Sequence, residues 1–264
     1  MALTIATSDS GGGAGIQADL KAFARCGVHG TSAIVALTAQ NTHEVVSVQT
    51  LPREFILDQV RAVADDIGID AVKIGMLFDT PTIEAVAEAL DLVADAPVVL
   101  DPVMVAESGA VLLKPKAKRA LIELIVPRSE VVTPNAGEAR ELSGLGEDAT
   151  PEELVRGVQA LGASVAVVTG GHLDGADRYF DGERAVEIEG PRHAEGASHG
   201  SGCTHSSALA ARLALGDSPL EAARAAREIA GEAVANGLRD LGSGAGPVDV
   251  LGSIKPAPER TRQA

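Results

Sequence analysis

Short runs of β-branched and other apolar residues alternate along the chain with longer stretches whose apolar positions recur at helical spacing. The short runs predict strands at 3–7, 32–38, 45–49, 71–74, 98–100, 130–133 and 165–169. The longer stretches predict helices near 15–26, 53–66, 80–94, 115–125, 135–143, 150–161, 203–214 and 219–236. Strands separated by helices predict an α/β fold, in which a mostly parallel sheet is covered by helices on both faces.

Start signals support several of these helices. Thr80 and Thr150 each precede a proline, which predicts an N-cap with proline at the first helical position. Glu153 follows Thr150 at the spacing of a capping box. Because the chain has no internal repeat and no long Pro/Gly/Ser linker, we expect one domain over 1–250 and a poorly ordered tail over 251–264.

Composition and charge narrow the class of protein. Hydrophobic residues make up 45% of the 264 residues but aromatic residues only 2%, so aliphatic side chains must fill the core. The net charge of −15 argues against nucleic acid and anionic membranes as partners. Cys26 and Cys203 form no spaced pair, which argues against a disulfide framework or a cysteine zinc site. Without a recognisable signal peptide or membrane span, we expect a cytoplasmic protein.

Unusual residues cluster where the predicted strands end, which is where ligands bind in parallel α/β sheets. TSDSGGGAGIQADLK follows the first strand, KIGML and DPVM follow the fourth and fifth, and TPNAGE and TGGH follow the last two. GSGCT opens the helix near 203. Together these motifs outline one crevice.

Two glycine-rich segments offer different chemistry. The glycines within 11–15 let the backbone approach a ligand, although neither GxGxxG nor GxxxxGK[ST] is present and a tight structural turn is an equal interpretation. Gly200 and Gly202 at a helix start let several N–H groups converge on an anion. The same field would lower the pKa of the Cys203 thiol, whereas the alternative is a small buried hydrophobe.

Three oxygen-bearing side chains follow neighbouring strands. Asp101, Asn135 and Glu138 are suited to Mg²⁺, which is often held through its waters. Asp-Pro and Pro-Asn also make ordinary turns, so each residue alone is a weak indication. Beside an anion site they indicate nucleotide and metal chemistry.

The motifs SDSGGGAGIQADLKAF, TAQNT, KIGML, LDPVM, TPNAGEA, GGH and GSGCT, in this order, resemble the hydroxymethylpyrimidine/phosphomethylpyrimidine kinases of thiamine biosynthesis. The resemblance runs from residue 4 to about 248. It implies a ribokinase-like three-layer α/β/α fold with a small β flap over the substrate. It also implies two successive ATP- and Mg²⁺-dependent phosphorylations, first of the hydroxymethylpyrimidine alcohol and then of its monophosphate. Since relatives are often dimers, a homodimer is expected.

By position, the resemblance assigns residues to the pyrimidine side of the site. Gln40 should hydrogen-bond the aminopyrimidine edge, and Asp19 and Met76 should line its pocket. Val103 should offer its backbone beside the ring, and we assign Gly11 to the same side.

The resemblance also assigns the phosphate side. Asp101, Asn135 and Glu138 match the Mg–ATP network, with Asp101 and Glu138 as metal ligands. Gly200, Ser201 and Gly202 match the anion hole, and Cys203 takes the catalytic position. There are two departures: Thr169 stands where the family usually has a lysine that reaches the ATP phosphates, and Ala197 stands where it has asparagine.

A thiol at the catalytic position suits a kinase with two acceptors. As a thiolate, Cys203 could take the proton of the alcohol; as a neutral thiol it would not repel the monophosphate. Two alternatives remain: a pyridoxal kinase, which shares the fold and the anion hole, and a non-catalytic pyrimidine-binding regulator, which only Thr169 favours. A thiol oxidoreductase would need a resolving cysteine nearby.

Overall fold

The computed structural model describes residues 1–106, 109–172, 175–190, 193 and 197–254. Its strands are β1 (Ala2–Asp9), β2 (Gly30–Gln40), β3 (Val45–Thr50), β4 (Ala71–Ile74), β5 (Val98–Leu100), β6 (Val131–Val132), β7 (Val165–Val168), β8 (Asp177–Phe180) and β9 (Ala185–Ile188). They form one sheet in the order β3-β2-β1-β4-β5-β6-β7-β8-β9. The central strands, which in sheet order are β2, β1, β4, β5, β6 and β7, run parallel to one another. At the two ends of the sheet, β3, β8 and β9 are antiparallel to their neighbours.

Helices cover both faces of this sheet. They are α1 (Gly15–Arg25), α2 (Arg53–Asp66), α3 (Thr80–Ala89), α4 (Ala117–Leu124), α5 (Ala136–Ser143), α6 (Pro151–Gln159), α7 (Ser201–Ala214) and α8 (Pro219–Ala235). Aliphatic residues of α2 to α6 pack with one face, and α1, α7 and α8 pack with the other, where the only tyrosine of the chain, Tyr179, is also buried. The α/β/α architecture is therefore confirmed.

Two strands and one helix start differ from the sequence-based expectations. β8 and β9 escaped prediction because β8 buries Asp177 and Arg178 along with its aromatic residues, so no apolar run marks it. The N-cap of α3 is Asp79 and not Thr80, because the Asp79 carboxylate accepts the N–H of Thr82.

Capping boxes start three helices. The box predicted from Thr150 and Glu153 is confirmed at the start of α6. Ser218 and Glu221 form the same arrangement at the start of α8, and a third lies at the start of α5. Each box satisfies two backbone N–H groups that would otherwise lack partners.

The domain boundaries stay predictions. One sheet runs through the described residues, and most of the predicted tail, at 255–264, lies outside them. Among the described helices, none combines the length and the apolar character needed to cross a bilayer.

Candidate active site

A cavity of about 450 Å³ opens where the parallel strands end and α1 and α7 begin. It collects most of the residues that the sequence assigned to the site: Gln40, Met76, Asp101, Val103, Asn135, Glu138, Thr169, Gly200, Ser201, Gly202 and Cys203. Asp19 and Gly11 do not line it. The expected crevice at the carboxyl edge of the sheet is therefore present, and Asp19 and Gly11 lie outside its lining.

The glycine-rich segment after β1 is a turn built around Asp9. The Asp9 carboxylate accepts the N–H groups of Gly11, Gly13 and Ala14 at 2.7, 3.1 and 2.9 Å. Although burial opposes the charge, a hydrogen bond from His199 and those from the backbone hold the pKa of Asp9 below its usual value. The Gly11 N–H thus donates to Asp9, and the assignment of Gly11 to the substrate stays a prediction.

Gln40, Met76 and Val103 line the same cavity. Gln40 ends β2, and Ser10 fixes its backbone: Ser10 Oγ donates to the Gln40 carbonyl and accepts the Gln40 N–H, both at 2.8 Å. Thr38 Oγ1 lies 3.3 Å from Gln40 Oε1. Ser10 therefore holds the Gln40 backbone, and Thr38 contacts its side-chain oxygen.

Asp19 lies beneath the cavity floor. It is fully buried on the sheet-facing side of α1, and its carboxylate accepts hydrogen bonds of 2.7 Å from Thr4 Oγ1, Ser207 Oγ and Lys73 Nζ. With these protein partners it does not line the cavity, and its assignment to the pyrimidine pocket stays a prediction without support from the cavity lining. Lys73 lines the cavity in its place.

Sequence reasoning missed Lys73. The signal was a lysine inside AVKI, a strand that is otherwise apolar and is buried at every position. Burial opposes the lysine charge, but Asp19, together with Cys203 and Asp101, raises the pKa of Lys73 well above its usual value. The floor of the cavity therefore carries a fixed positive charge.

The N-terminus of α7 forms another wall of the cavity. Its N-cap, Gly200, has a φ of +84° and no side-chain cap, so no side chain competes with an anion for the N–H groups of the first turn, although the Ser201 N–H donates to the Ser198 carbonyl at 2.9 Å. A Cβ on Gly200 would lie 1.8 Å from the carbonyl oxygen of Gly13. Only glycine lets α7 begin against the turn that follows β1.

The thiol of Cys203 differs from the expectation. The residue is partly exposed toward the cavity, yet burial raises its pKa to about 12. Lys73 and a hydrogen bond from the Gly15 N–H favour the thiolate, whereas the charges of Asp101 and Asp19 oppose it. The predicted lowering of the pKa was wrong chiefly because the thiol is buried, and the nearby carboxylates of Asp101 and Asp19 add to the rise.

Asp101 and Glu138 are two of the three acidic residues that line the cavity, the third being Asp9 in the turn after β1. Burial raises the pKa of Asp101, whose Oδ2 accepts a hydrogen bond from Ser206 Oγ at 3.1 Å. Burial and the charge of Asp101 raise the pKa of Glu138 to about 8. Glu138 also accepts the N–H of Asn135 at 2.9 Å and closes the capping box of α5 with it. Both residues therefore have a structural role in addition to their place in the wall.

The two departures from the family pattern lie in different surroundings. Thr169 lines the cavity, and its N–H donates to the Pro134 carbonyl at 2.9 Å. Ala197 is buried beside Gly237 and does not line the cavity. Thr169 is thus the departure that changes the chemistry of the wall.

Comparison with known sequences agrees with this arrangement. The sequence model of the family described as phosphomethylpyrimidine kinase matches residues 9–249. The chain belongs to this family. It is 45% identical over 255 residues to a hydroxymethylpyrimidine/phosphomethylpyrimidine kinase of Rhizobium meliloti, covering 94% of this chain and 96% of that protein. The Bacillus subtilis protein of the same name is 43% identical, with coverage of 94% and 93%.

Solved structures place the fold. An ADP complex of Bacillus subtilis pyridoxal kinase matches with a TM-score of 0.86 and 38% identity, covering 94% of this chain and 96% of that one. A phosphomethylpyrimidine kinase from Clostridium difficile matches with a TM-score of 0.75 and 39% identity, covering 86% and 95%. The fold is ribokinase-like and the chain is a kinase, as the sequence resemblance implied.

Proposed function

We propose that this chain phosphorylates 4-amino-5-hydroxymethyl-2-methylpyrimidine with ATP, and then phosphorylates the monophosphate to the diphosphate, in thiamine diphosphate biosynthesis. The observation that carries the proposal is a single cavity that joins an amide able to select a ring edge, Gln40, to the helix start at 200–203. Membership of the phosphomethylpyrimidine kinase family supports it.

The pyrimidine end of the cavity recognises a flat, polar-edged ring. Gln40 offers both a donor and an acceptor to an aminopyrimidine edge. Met76 supplies an adaptable apolar surface, and Val103 offers its backbone. This set orients the hydroxymethyl group of the ring relative to α7.

The other end of the cavity stabilises negative charge. Gly200, Ser201 and Gly202 form the anion hole, in which the Ser201 N–H also donates to the Ser198 carbonyl at 2.9 Å, and the charge of Lys73 lies on the same cavity wall. Because catalysis of phosphoryl transfer depends mainly on positioning and on stabilisation of charge, these groups make the protein's main contribution to the reaction rate. Asn135 and Thr169 contact the nucleotide.

Cys203 takes the catalytic position between the two ends. With a pKa of about 12 the resting thiol is neutral near pH 7, which leaves the anionic monophosphate acceptor unopposed. For the alcohol acceptor, the minor thiolate form accepts the departing proton. The two acceptors thus use different protonation states of one side chain.

The acidic wall fits Mg²⁺. The donors are hard oxygens, and a divalent cation would offset the burial and mutual repulsion that raise the pKa values of Asp101 and Glu138. No group of three or more His, Cys, Asp or Glu side chains in the described part of the chain is arranged as a metal site, which suits an ion held largely by phosphate and water. When bound, Mg²⁺ neutralises charge on the transferring phosphate.

Pyridoxal is the second candidate acceptor. The pyridoxal kinase structures from Bacillus subtilis and Staphylococcus aureus match with TM-scores of 0.86 and 0.85, above the 0.75 of the phosphomethylpyrimidine kinase from Clostridium difficile. The sequence identity to the Rhizobium meliloti pyrimidine kinase is 45%, against 38% and 34% to these two pyridoxal kinases, and this difference favours the pyrimidine as acceptor.

The test is direct. Purified protein is incubated with Mg–ATP and either hydroxymethylpyrimidine or pyridoxal, and the products are separated and identified by mass. We expect pyrimidine monophosphate followed by diphosphate, with a higher kcat/KM than for pyridoxal. Pyridoxal phosphate as the only product would transfer the assignment to the second candidate.

Two further parts of the proposal concern assembly and compartment. The chain works as a homodimer, which is supported by Leu37 and Val46, large apolar residues exposed on neighbouring strands at one end of the sheet. It works in the cytoplasm, where its two unpaired cysteines suit a reducing compartment. Light scattering coupled to size exclusion and cell fractionation test the two statements.

A further inference from the structure

Asp177, at the start of β8, does not line the cavity, yet its carboxylate joins two segments that do. Its Oδ1 accepts the Gly170 N–H at 2.8 Å, and its Oδ2 lies 3.1 Å from Nε2 of His205. Gly170 directly follows Thr169, and His205 lies two residues after Cys203 on α7. One buried side chain therefore connects the end of β7 to the helix that carries the anion hole.

The carboxylate is held in its charged form. Burial opposes the charge, but the hydrogen bond and charge of His205, the Gly170 N–H and the charge of Arg227 keep the pKa of Asp177 below its usual value. Arg227, on α8, places Nε 3.7 Å from Asp177 Oδ1 and donates from Nη2 to the Gly175 carbonyl at 2.6 Å. A fourth element thus anchors the same group.

His205 depends on this carboxylate. Its side chain is buried, and its Nδ1 has no hydrogen-bond partner among the described residues. The hydrogen bond of this ring goes to Asp177. Loss of the carboxylate would leave a buried imidazole without a partner at the second turn of α7.

The turn at 170–172 has little room to move by itself. A Cβ on Gly170 would lie 2.1 Å from the Ala176 carbonyl oxygen, and the Gly170 carbonyl accepts the N–H of Gly175 at 3.1 Å. Asp177 follows directly after this contact. The position of the turn relative to α7 is therefore set by the segment that holds the carboxylate.

We propose that Asp177 is a positioning residue for phosphoryl transfer, which sets the turn after Thr169 relative to the start of α7 and so controls nucleotide binding without contacting either substrate. The inference rests on the proposed function, which places the nucleotide at Thr169. A misplacement of about 1 Å remote from the reacting atoms can cost about 10²-fold in rate.

The decisive variant is Asp177→Asn, which keeps the size of the side chain and removes its charge. We expect the Kd of ADP, measured by calorimetry, to rise about tenfold and kcat to fall about 10²-fold, because an amide has one acceptor oxygen and cannot accept from both the Gly170 N–H and His205 Nε2. The KM for hydroxymethylpyrimidine should stay within about twofold, since that end of the cavity is untouched.

Asp181→Asn is the matched control. Asp181 lies just after β8, and its carboxylate accepts the N–H groups of Glu183 and Arg184 at the turn remote from the cavity. A purely structural role predicts that both variants lower Tm and leave the nucleotide Kd of the folded protein unchanged. That outcome would overturn the proposal for Asp177.

His205→Leu keeps the test open if Asp177→Asn fails to fold, since it removes the polar contact between α7 and Asp177 and leaves the contact to Gly170 in place. The same rise in nucleotide Kd is expected, and an unchanged Kd would count against the proposal. A wild-type chain that binds ADP but phosphorylates no pyrimidine would instead overturn the proposed function. The calorimetric comparison of the variants would then still decide the role of Asp177.

Discussion

At the scale of single residues, Lys73 and Asp19 form a fully buried ion pair. Both side chains have 0% exposure, and Nζ lies 2.7 Å from Oδ1. Lys73→Met should lower the free energy of unfolding by about 3–5 kcal/mol, because it leaves a buried carboxylate without its counter-charge. Urea denaturation of both single variants and of Lys73→Met/Asp19→Asn measures the coupling; strictly additive losses would mean that the pair does not act as a unit.

Gln40 tests the recognition of the pyrimidine. Gln40→Leu should weaken pyrimidine binding by about 1–3 kcal/mol, the cost of leaving buried polar partners unsatisfied, and should leave ADP binding unchanged. Gln49→Leu is the control, since Gln49 is exposed on β3 and does not line the cavity. Calorimetry with each ligand decides; equal pyrimidine affinity in wild type and Gln40→Leu would remove this residue from the site.

The raised pKa of Cys203 predicts how the rate of the first phosphorylation depends on pH. Since its pKa is raised to about 12, the thiolate fraction grows as pH rises from neutrality, and kcat/KM for the alcohol should rise with it. Cys203→Ala should flatten this rise and slow the first phosphorylation by about 10²–10⁴-fold, with a much smaller effect on the second.

Separate rate measurements with each acceptor across pH 7 to about 9 test this pattern, below the thiol pKa. Cys26→Ala is the control, because Cys26 packs at the end of α1 and does not line the cavity. Equal losses at both steps in Cys203→Ala would mean that the thiol shapes the anion hole and accepts no proton.

At the scale of elements, the junction between α7 and the turn after β1 depends on Gly200. Gly200→Ala should abolish both phosphorylations, because its Cβ would lie 1.8 Å from the Gly13 carbonyl oxygen. Gly216→Ala is the control: Gly216 has a φ of +93° after the same helix, and a Cβ there would meet nothing within 4 Å. Both substitutions strain the backbone, so the difference in activity and Tm isolates the clash; equal effects would refute it.

The strands and helices also differ in how accurately they can be predicted from their own sequences. β4 and β7 are buried apolar runs and were predicted within a residue, whereas β8 contains the buried pair Asp177 and Arg178, whose partners lie far away in sequence. The start of α3 was misplaced because Asp79 and Thr80 both fit an N-cap, and the side-chain direction decides between them. The local sequence pattern therefore predicts strands that are buried and apolar, and it misses strands whose buried polar residues depend on partners far away in the chain.

At the scale of the whole molecule, the carboxyl edge of the sheet explains why most of the cavity could be predicted. Motifs that follow parallel strands must meet at that edge, so residues as distant in sequence as Gln40 and Thr169 were placed together correctly. How deeply each side chain is buried beneath that edge could not be predicted in the same way. Asp19 was expected to line the pocket and lies beneath it, and Lys73 was not expected there at all, because burial depends on packing between α1, α7 and the sheet.

The scarcity of aromatic residues has a practical consequence. With no tryptophan and Tyr179 as the single tyrosine, the near-ultraviolet spectrum of this protein is dominated by one phenol. That ring is buried on β8, two positions from Asp177 and directly before Phe180. Its emission and circular dichroism therefore report on one known point of the interior without any label. A ligand that disturbs the strand beside the nucleotide turn would be visible in the optical signal of a single side chain.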